Sequence, residues 1–313
     1  MQQNIRIKPL ALAAMTMILS LPALADDTVL IGLAGPLTGP SARIGKDLEN
    51  GARLAIADAN AQKPTLNGKP VTFKLVSEDD QSDPRTAVAV AQRLVDEGVA
   101  GVVGHWNTGT SIPAARIYHD AGIAQVAPVA TGHGYTQQGF DTSFRVMGHD
   151  DDGGNYAGQY AVKTLKAKRI AVIDDRTAFG QGLADEFIKS LQAQGVQPVT
   201  REYVDDKTVD FSAVLTTVRS KNADLIFFGG VDSQAAPLAR KLKQLGMNAQ
   251  LMGAGGFVSQ TFLTLAQREG EGVVALEPGL PLEQMPGGKA FEQAYRDRYH
   301  THIELHAPFA YDA

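Results

Sequence analysis

Short apolar runs alternate with longer segments of helical spacing along most of this chain. The run 28–34 (TVLIGLA) predicts a buried strand. In the segment that follows it, Ile44 and Leu48 lie about one helical turn apart and open a predicted helix over 44–61. Glycine-rich residues separate the two elements, as expected where a strand turns into a helix.

The same alternation continues to about residue 266. Asp83 followed by Pro84 predicts a helix start, because the carboxylate caps the helix and proline suits its first position. Further strands are predicted at 71–76, 100–103, 123–127, 169–173, 198–204, 224–228 and 249–252, and further helices at 111–120, 154–165, 181–194, 211–220, 235–245 and 260–266. Strands that alternate with helices of this length predict an α/β protein with parallel sheets covered on both faces.

The alternating pattern falls into two series, which predicts two Rossmann-like lobes and two sheets. The first series ends near 147–152, and the chain is expected to cross back near 275–281. We therefore expect lobe 1 to comprise residues 26–147 and 279–313, and lobe 2 to comprise residues 148–278.

Residues 1–25 have the layout of a secretory signal peptide. Arg6 and Lys8 precede an apolar run over 10–21, and Ala23 and Ala25 supply a small-residue cleavage site. The alternative is an uncleaved anchor, but the run is short for a membrane span. We therefore expect an exported, soluble mature protein.

Composition narrows the class of protein. The chain has no cysteine, which excludes thiol catalysis, thiolate zinc sites and iron–sulfur clusters. The net charge is −5, and no block of Lys and Arg stands out, so nucleic acid and anionic membranes are not expected as partners. The length is sufficient for two domains with separate cores.

Candidate binding residues lie where the predicted parallel strands end, because ligands of open α/β sheets bind beyond those ends. Thr108 and Thr131 each follow such a strand and stand ahead of a possible helix start. A hydroxyl and free backbone N–H groups there can both donate to a carboxylate. Plain N-capping is the structural alternative for either threonine.

Several of these segments resemble one known family. They are GHWNTGTSIPAARIYHDAGIAQVAPVATG (104–132), GPLTGP (35–40), DDRTAFGQGLA (174–184), FFGGVDSQ (227–234) and MGAGGF (252–257). Together they are similar to the leucine/isoleucine/valine-binding proteins, the periplasmic substrate-binding proteins of branched-chain amino acid ABC importers. The resemblance covers essentially the whole chain after residue 25, in order and with matching spacing.

The resemblance implies a type I periplasmic-binding fold: two lobes joined by a hinge that close on a ligand without chemistry. It also implies a periplasmic monomer that is not an enzyme, needs no cofactor or metal, and delivers an amino acid to a permease in the inner membrane. A ligand-sensing receptor of the same fold, or a binder of an amide or aromatic carboxylate, are the alternatives.

The resemblance also assigns roles to residues. Thr108 and Thr131 match positions that hold the ligand carboxylate, and the carbonyl of Val129 matches one that accepts from the ammonium. Phe179 would close over the ligand, and Trp106 would touch its side chain. The complete predicted set is Trp106, Asn107, Thr108, Val129, Ala130, Thr131, Phe179 and Asp232.

Three positions depart from the family pattern. Gly255 stands where the family's branched-chain binders place a glutamate against the ammonium, and Asp232 is our predicted replacement because a buried ammonium needs a compensating charge. A helix N-cap is the alternative role for Asp232. Ile44 replaces a frequent tyrosine, and Trp106 is larger than the expected aliphatic. Family members also continue past Ala313, so the last part of lobe 1 is expected to be missing.

A histidine-rich segment offers a rival site. If 300–306 were extended, His300, His302, Glu304 and His306 would share one face and could bind zinc. The alternative is a polar loop ahead of a helix, from which His306 could approach the cleft. The acidic runs 78–80 and 150–152 lack the spacing of a calcium loop, and no phosphate loop or serine-nucleophile motif is complete.

Overall fold

The computed structural model describes residues 27–277 and 279–313, so the predicted signal peptide, residues 1–25, lies outside the described residues. The described chain forms two sheets in sequence, each flanked by helices. Within these residues, no helix is long and apolar enough to cross a membrane.

The first sheet has six strands in the order β2-β3-β1-β4-β5-β6. Its strands are β1 (Asp27–Gly35), β2 (Thr65–Leu66), β3 (Lys69–Asp79), β4 (Gly101–Gly104), β5 (Ala124–Ala127) and β6 (Ser143–Arg145). Every pair is parallel except the hairpin of β2 with β3, whose turn contains Asn67 and Gly68, both at positive φ.

The second sheet has five parallel strands in the order β11-β10-β9-β7-β8. Its strands are β7 (Ile170–Asp174), β8 (Thr200–Tyr203), β9 (Leu225–Gly229), β10 (Gln250–Gly253) and β11 (Val274–Ala275). The central strands β7 and β9 are buried along their whole length, as expected for a parallel sheet covered on both faces.

Helices cover both sheets. They are α1 (Ala42–Ala61), α2 (Pro84–Asp96), α3 (Thr108–Asp120), α4 (Asp150–Gln159), α5 (Ala178–Ala193), α6 (Ser212–Ser220), α7 (Asp232–Gln244), α8 (Gln260–Ala266), α9 (Gly288–Tyr299) and α10 (Ala307–Asp312), and a π-helical turn, Tyr160–Thr164, continues α4. The Asp83 carboxylate accepts hydrogen bonds from the N–H groups of Arg85 and Thr86, so the predicted cap of α2 is confirmed.

Aromatic side chains fill the core on both faces of the second sheet. Phe187 of α5 stacks on Phe227 with ring centroids 3.9 Å apart. On the other face, Phe211 packs edge-on against Phe228. Neighbouring residues of β9 therefore point to opposite faces, each into its own apolar cluster.

The C-terminal helices return to the first sheet and pack on α1. The Asp47 carboxylate, 2% exposed, accepts hydrogen bonds from the backbone N–H groups of residues 304–307 and from the Tyr295 hydroxyl. The carbonyl of Ala307 lies so close to Gly51 that a Cβ there would be 2.1 Å from its oxygen. We call the body formed by 27–145 and 288–312 the first lobe, and the body formed by 150–277 the second lobe.

The chain passes between the lobes at 146–149 and again at 279–287. The predicted α/β class with two mainly parallel sheets is confirmed. The elements after the two candidate threonines differ from each other. Thr131 is followed by a 3₁₀ turn, His133–Tyr135, and not by an α-helix, whereas Thr108 is the first residue of α3.

Candidate functional site

A cavity of about 390 Å³ lies between the two lobes, beyond the carboxyl ends of their strands. This is where open parallel sheets bind ligands. Both lobes contribute to its wall, through Trp106, Asn107, Thr108, Val129, Thr131, Met147, Gly148, His149, Asp150, Asp152, Gly153, Tyr156, Phe179, Leu183, Val231, Ala254, Gly255, Leu276, Glu277, Gly279 and His306.

A buried polar network fixes the loop that carries Trp106, Asn107 and Thr108. His105, just ahead of this loop, lies between the Asp80 carboxylate at 2.7 Å and the Tyr118 hydroxyl at 3.1 Å. All three side chains are fully buried. Because buried polar groups that are paired hold a single arrangement, this network fixes the direction in which the loop leaves β4.

Thr108 presents a hydroxyl at the start of α3. Its Oγ1 accepts a hydrogen bond of 3.0 Å from the N–H of Gly132, which leaves the hydroxyl proton available for donation. A Cβ on Gly132 would lie 2.3 Å from the Thr108 side chain, so only glycine fits at this position. The backbone N–H groups of the first turn of α3 lack intrahelical partners and add further donors.

Thr131 lies on the loop after β5, together with Val129 and Ala130. Its carbonyl accepts a 3.0 Å hydrogen bond from the N–H of Asp150, which ties this loop to the start of the second lobe. Ala130 is 1% exposed and does not line the cavity; it packs in a small apolar cluster with Tyr135. The structure therefore does not bring Ala130 to the cavity wall, although it was predicted there.

Asp150 places a buried carboxylate beside Thr131. Burial raises its pKa to about 7, against the opposing effects of the Thr131 hydroxyl and the Arg145 charge. Its Oδ2 has no hydrogen-bond partner within the described chain. Burial therefore favours the protonated form of this carboxyl relative to an exposed aspartate.

Gly255 cannot carry the side chain that the family resemblance places there. Its φ is +72°, and an added Cβ would lie 2.9 Å from both the Phe179 ring and the carbonyl oxygen of Gly230. Phe179, in the first turn of α5, thus takes the space that a side chain at 255 would need.

The structure does not bring Asp232 to the cavity wall. It is the first residue of α7, with Val231 at the N-cap position. Its Oδ2 accepts a 2.8 Å hydrogen bond from the Ser259 hydroxyl, and its Oδ1 accepts one of 2.8 Å from the N–H of Ser233. Burial raises its pKa to about 6. Asp232 thus organises the start of α7 and of α8.

A different carboxylate, Glu277, does line the cavity. It follows β11, and its Oε1 accepts a 3.1 Å hydrogen bond from the N–H of Gly256. Desolvation by burial raises its pKa to about 7, and the charge of Asp232 adds to the effect. The ionised form of Glu277 is therefore unfavourable on its own, and a cation bound in the cavity would stabilise it.

These features belong to a known architecture. The sequence signature of the family described as periplasmic binding protein matches residues 28–313. The chain belongs to this family. The predicted relationship to the periplasmic binding proteins and the predicted type I periplasmic-binding fold are confirmed.

Relatives within the family are similar over most of the chain. An amino acid binding protein from Pseudomonas aeruginosa is 40% identical over 291 residues, covering 92% of this chain and 76% of that protein. The Leu/Ile/Val-binding protein homolog 1 from Brucella abortus is 37% identical over 238 residues, 76% of this chain. The chain spans 63% of the length of this Brucella protein.

A solved structure of a substrate-binding protein is also similar to this chain. The branched-chain amino acid transporter substrate-binding protein LivJ from Streptococcus pneumoniae, in complex with isoleucine, superposes with a TM-score of 0.81. It is 27% identical, and the match covers 91% of this chain and 81% of that chain.

Sequence reasoning missed several residues of the cavity wall, among them the carboxylates of Asp150 and Glu277, and left the position of His306 open. Glu277 ends the apolar run 273–276, so the strand-end rule applied to the other segments would have found it. His306 had been assigned to a polar loop with a possible approach to the cleft, and it is in the wall. No group of three or more His, Asp or Glu side chains within 27–277 and 279–313 is arranged to hold a metal ion.

Proposed function

We propose that this chain is the periplasmic solute-binding protein of an ABC importer, which binds an α-amino acid between its lobes and delivers it to a membrane permease. One observation carries the proposal: a single cavity has hydroxyl and N–H donors on its first-lobe side and a desolvated carboxylate on its second-lobe side. That arrangement complements a zwitterion. The amino acid binding protein of Pseudomonas aeruginosa and the isoleucine complex of LivJ support the ligand class.

The carboxylate of the ligand binds on the first-lobe side. Thr108 has a free hydroxyl proton, and the first turn of α3 adds N–H groups with the favourable end of the helix dipole. Thr131 adds a second hydroxyl in the wall. Because the pKa of Asp150 is raised to about 7, this neighbour can be protonated when the ligand carboxylate arrives.

The ammonium binds between the carbonyl of Val129 and the carboxylate of Glu277. Both line the cavity, and they come from different lobes. Glu277 takes the part that the family resemblance gives to position 255, and Asp232 contributes only a long-range charge. An ammonium removed from water needs such a partner, because an uncompensated buried charge is strongly unfavourable.

Binding involves closure and no chemical step. The first lobe holds the carboxylate, and Phe179 with Glu277 on the second lobe completes the cage. The contacts to the second lobe form only in the closed arrangement, so the ligand shifts the equilibrium toward it. The two passages between the lobes, at 146–149 and 279–287, are the hinge of this motion.

A thermal-shift panel tests the proposal. The protein would be screened against amino acids, their α-keto acid counterparts, aromatic carboxylates and simple amides. A ligand at about 100 times its Kd adds about 2.7 kcal/mol to the free energy of unfolding, which gives a readily measured shift in Tm. We expect shifts with amino acids alone. Shifts only with keto acids or aromatic carboxylates, or no shift with any compound, would contradict the proposal.

A further inference from the structure

His306 is a buried imidazole whose protonation state follows from its surroundings. Its Nδ1 lies 3.4 Å from Nε1 of Trp106. An indole N–H can only donate, so Nδ1 of His306 must be the acceptor and carries no proton. Complete burial lowers the pKa of the ring to about 3, so the imidazole is neutral at physiological pH. Its one proton is therefore on Nε2.

This Nε2–H group has no acceptor within the described chain. The ring of His306 accepts one hydrogen bond, from Trp106. Its backbone N–H donates one to Asp47 at 2.7 Å, and its carbonyl accepts two, from the N–H groups of Phe309 and Ala310. Nε2 is not among the buried polar atoms that lack both solvent contact and a partner. Because His306 lines the cavity, Nε2 is accessible from there. The Nε2–H group of the ring is thus available to donate a hydrogen bond to a ligand in the cavity.

The ring is held in one orientation, which makes it a preorganised donor. Asp47 fixes the backbone of His306, and the ring contacts Trp106 and Phe309 with centroids 6.5 Å and 6.3 Å away. A fixed donor discriminates between ligands, because an aliphatic group placed against it leaves a desolvated N–H without a partner.

We propose that Nε2–H of His306 binds a hydrogen-bond acceptor on the ligand's side chain, and that the ligand is an amino acid with a carboxamide side chain. This inference rests on the proposed function. A side-chain carboxylate would also accept the bond, but Asp150, Asp152 and Glu277 already place three carboxyl groups in the same wall. A further carboxylate on the ligand is disfavoured beside them, whereas an amide oxygen is neutral.

The test compares ligands of nearly equal shape. Asparagine and leucine differ mainly in polarity, so their affinity ratio reports the hydrogen bond more than the fit. Affinities would be measured by calorimetry with the whole protein, together with glutamine. We expect asparagine or glutamine to bind at least about tenfold more tightly than leucine. Tighter binding of leucine than of both amides would overturn the inference.

Variants assign the preference to His306. His306→Phe is expected to reduce the amide preference at least about tenfold while leucine still binds. His306→Gln retains an N–H donor and should preserve part of the preference. His302→Phe is the matched control, because His302 is half exposed and does not line the cavity. An amide preference that survives unchanged in folded His306→Phe would also overturn the inference.

Failure of the proposed function gives a different result. If neither leucine nor the amides bind to folded protein, the role of His306 is wrong, and the amino-acid assignment is wrong as well if no other amino acid of the thermal-shift panel binds. If leucine binds and the amides do not, the proposed function stands and only the role of His306 is lost. If His306→Phe does not fold, the comparison of asparagine and glutamine with leucine on the unaltered protein still tests the inference.

Discussion

At the scale of single residues, the position of one negative charge decides what the cavity can hold. Gly255 has no room for a side chain, and the carboxylate of Asp232 is occupied by Ser259 and Ser233. Glu277 enters the cavity from the next strand along the sheet, with one hydrogen bond from Gly256. The charge expected at 255 is thus supplied from another element.

Replacing Glu277 tests this assignment. Glu277→Gln keeps the shape of the side chain and removes the charge, so the affinity for an amino acid should fall by about 1.5–3 kcal/mol. The affinity for the matching α-keto acid should not fall. The chain's single tryptophan, Trp106, lies in the cavity wall, so its fluorescence can report each titration. Asp232→Asn is the control, and an equal loss there would contradict the assignment.

The raised pKa of Glu277 predicts how binding depends on pH. The free group has a pKa of about 7, and an ammonium partner favours its ionised form and lowers that pKa. The affinity should therefore reach its full value only well above pH 7 and should fall as the pH drops through 7, because protons compete with the ligand.

The measurement is the ratio of the affinities of the unaltered protein and Glu277→Gln between about pH 8 and about pH 5.5. Using this ratio cancels the effect of Asp150, whose pKa is also raised into this range, and leaves of Asp232 only its influence on Glu277 itself. A ratio that does not change with pH would show that Glu277 does not hold the ammonium.

At the scale of elements, α1 positions part of the site through Asp47. This side chain gathers the backbone N–H groups of residues 304–307, and so sets the position of His306 at the start of α10. Burial raises the pKa of Asp47, and these hydrogen bonds oppose that effect. The cavity wall thus depends on a helix that does not itself line it.

Removing the Asp47 carboxylate should destabilise the first lobe and weaken binding together. Asp47→Ala leaves four N–H groups and the Tyr295 hydroxyl without this acceptor, and we expect a loss of about 3–5 kcal/mol in the free energy of unfolding. Denaturant unfolding of this variant beside Asp58→Ala, an exposed residue that bonds Tyr311, measures it. Equal stability of the two variants would contradict this role.

The sequence predicted most elements because their signals are local. The cap at Asp83 and the apolar runs of β7 and β9 each carry their signal within a few residues. The strand β6 has only three residues, and α9 is highly charged, so neither has a strong apolar pattern. The turn after Thr131 was predicted as a helix because a hydroxyl followed by glycine suits both structures.

The site was predictable only in part. Trp106, Thr108, Val129, Thr131 and Phe179 follow strand ends, and the structure brings all of them to the cavity wall. The choice between two buried acids depended on which one Ser259 engages, and that contact joins elements far apart in sequence. Partners of this kind leave no local signal.

At the scale of the whole molecule, the cavity is formed by two bodies, which the described chain joins at 146–149 and 279–287. Helix α3 of the first lobe contacts α5 of the second across the cleft. Both lobes contribute residues to the cavity wall, so neither lobe alone can enclose a ligand. This arrangement couples ligand binding to the relative position of the lobes.

Ligand binding should therefore make the molecule more compact. The contacts of Phe179 and Glu277 with a ligand held by the first lobe favour the closed arrangement. Small-angle X-ray scattering should show a smaller radius of gyration with a saturating amino acid than without it. The same amino acid should leave the radius of gyration of Glu277→Gln nearer its ligand-free value. An unchanged radius in both proteins would argue against closure.

The most direct test of the zwitterion site uses three versions of one ligand. Calorimetry would compare an amino acid that binds, its α-keto acid and its decarboxylated amine, each with the unaltered protein. Loss of either charged group should weaken binding at least about tenfold, because each is expected to meet its own partner across the cleft. Binding of the keto acid or the amine as tight as that of the amino acid would contradict the account.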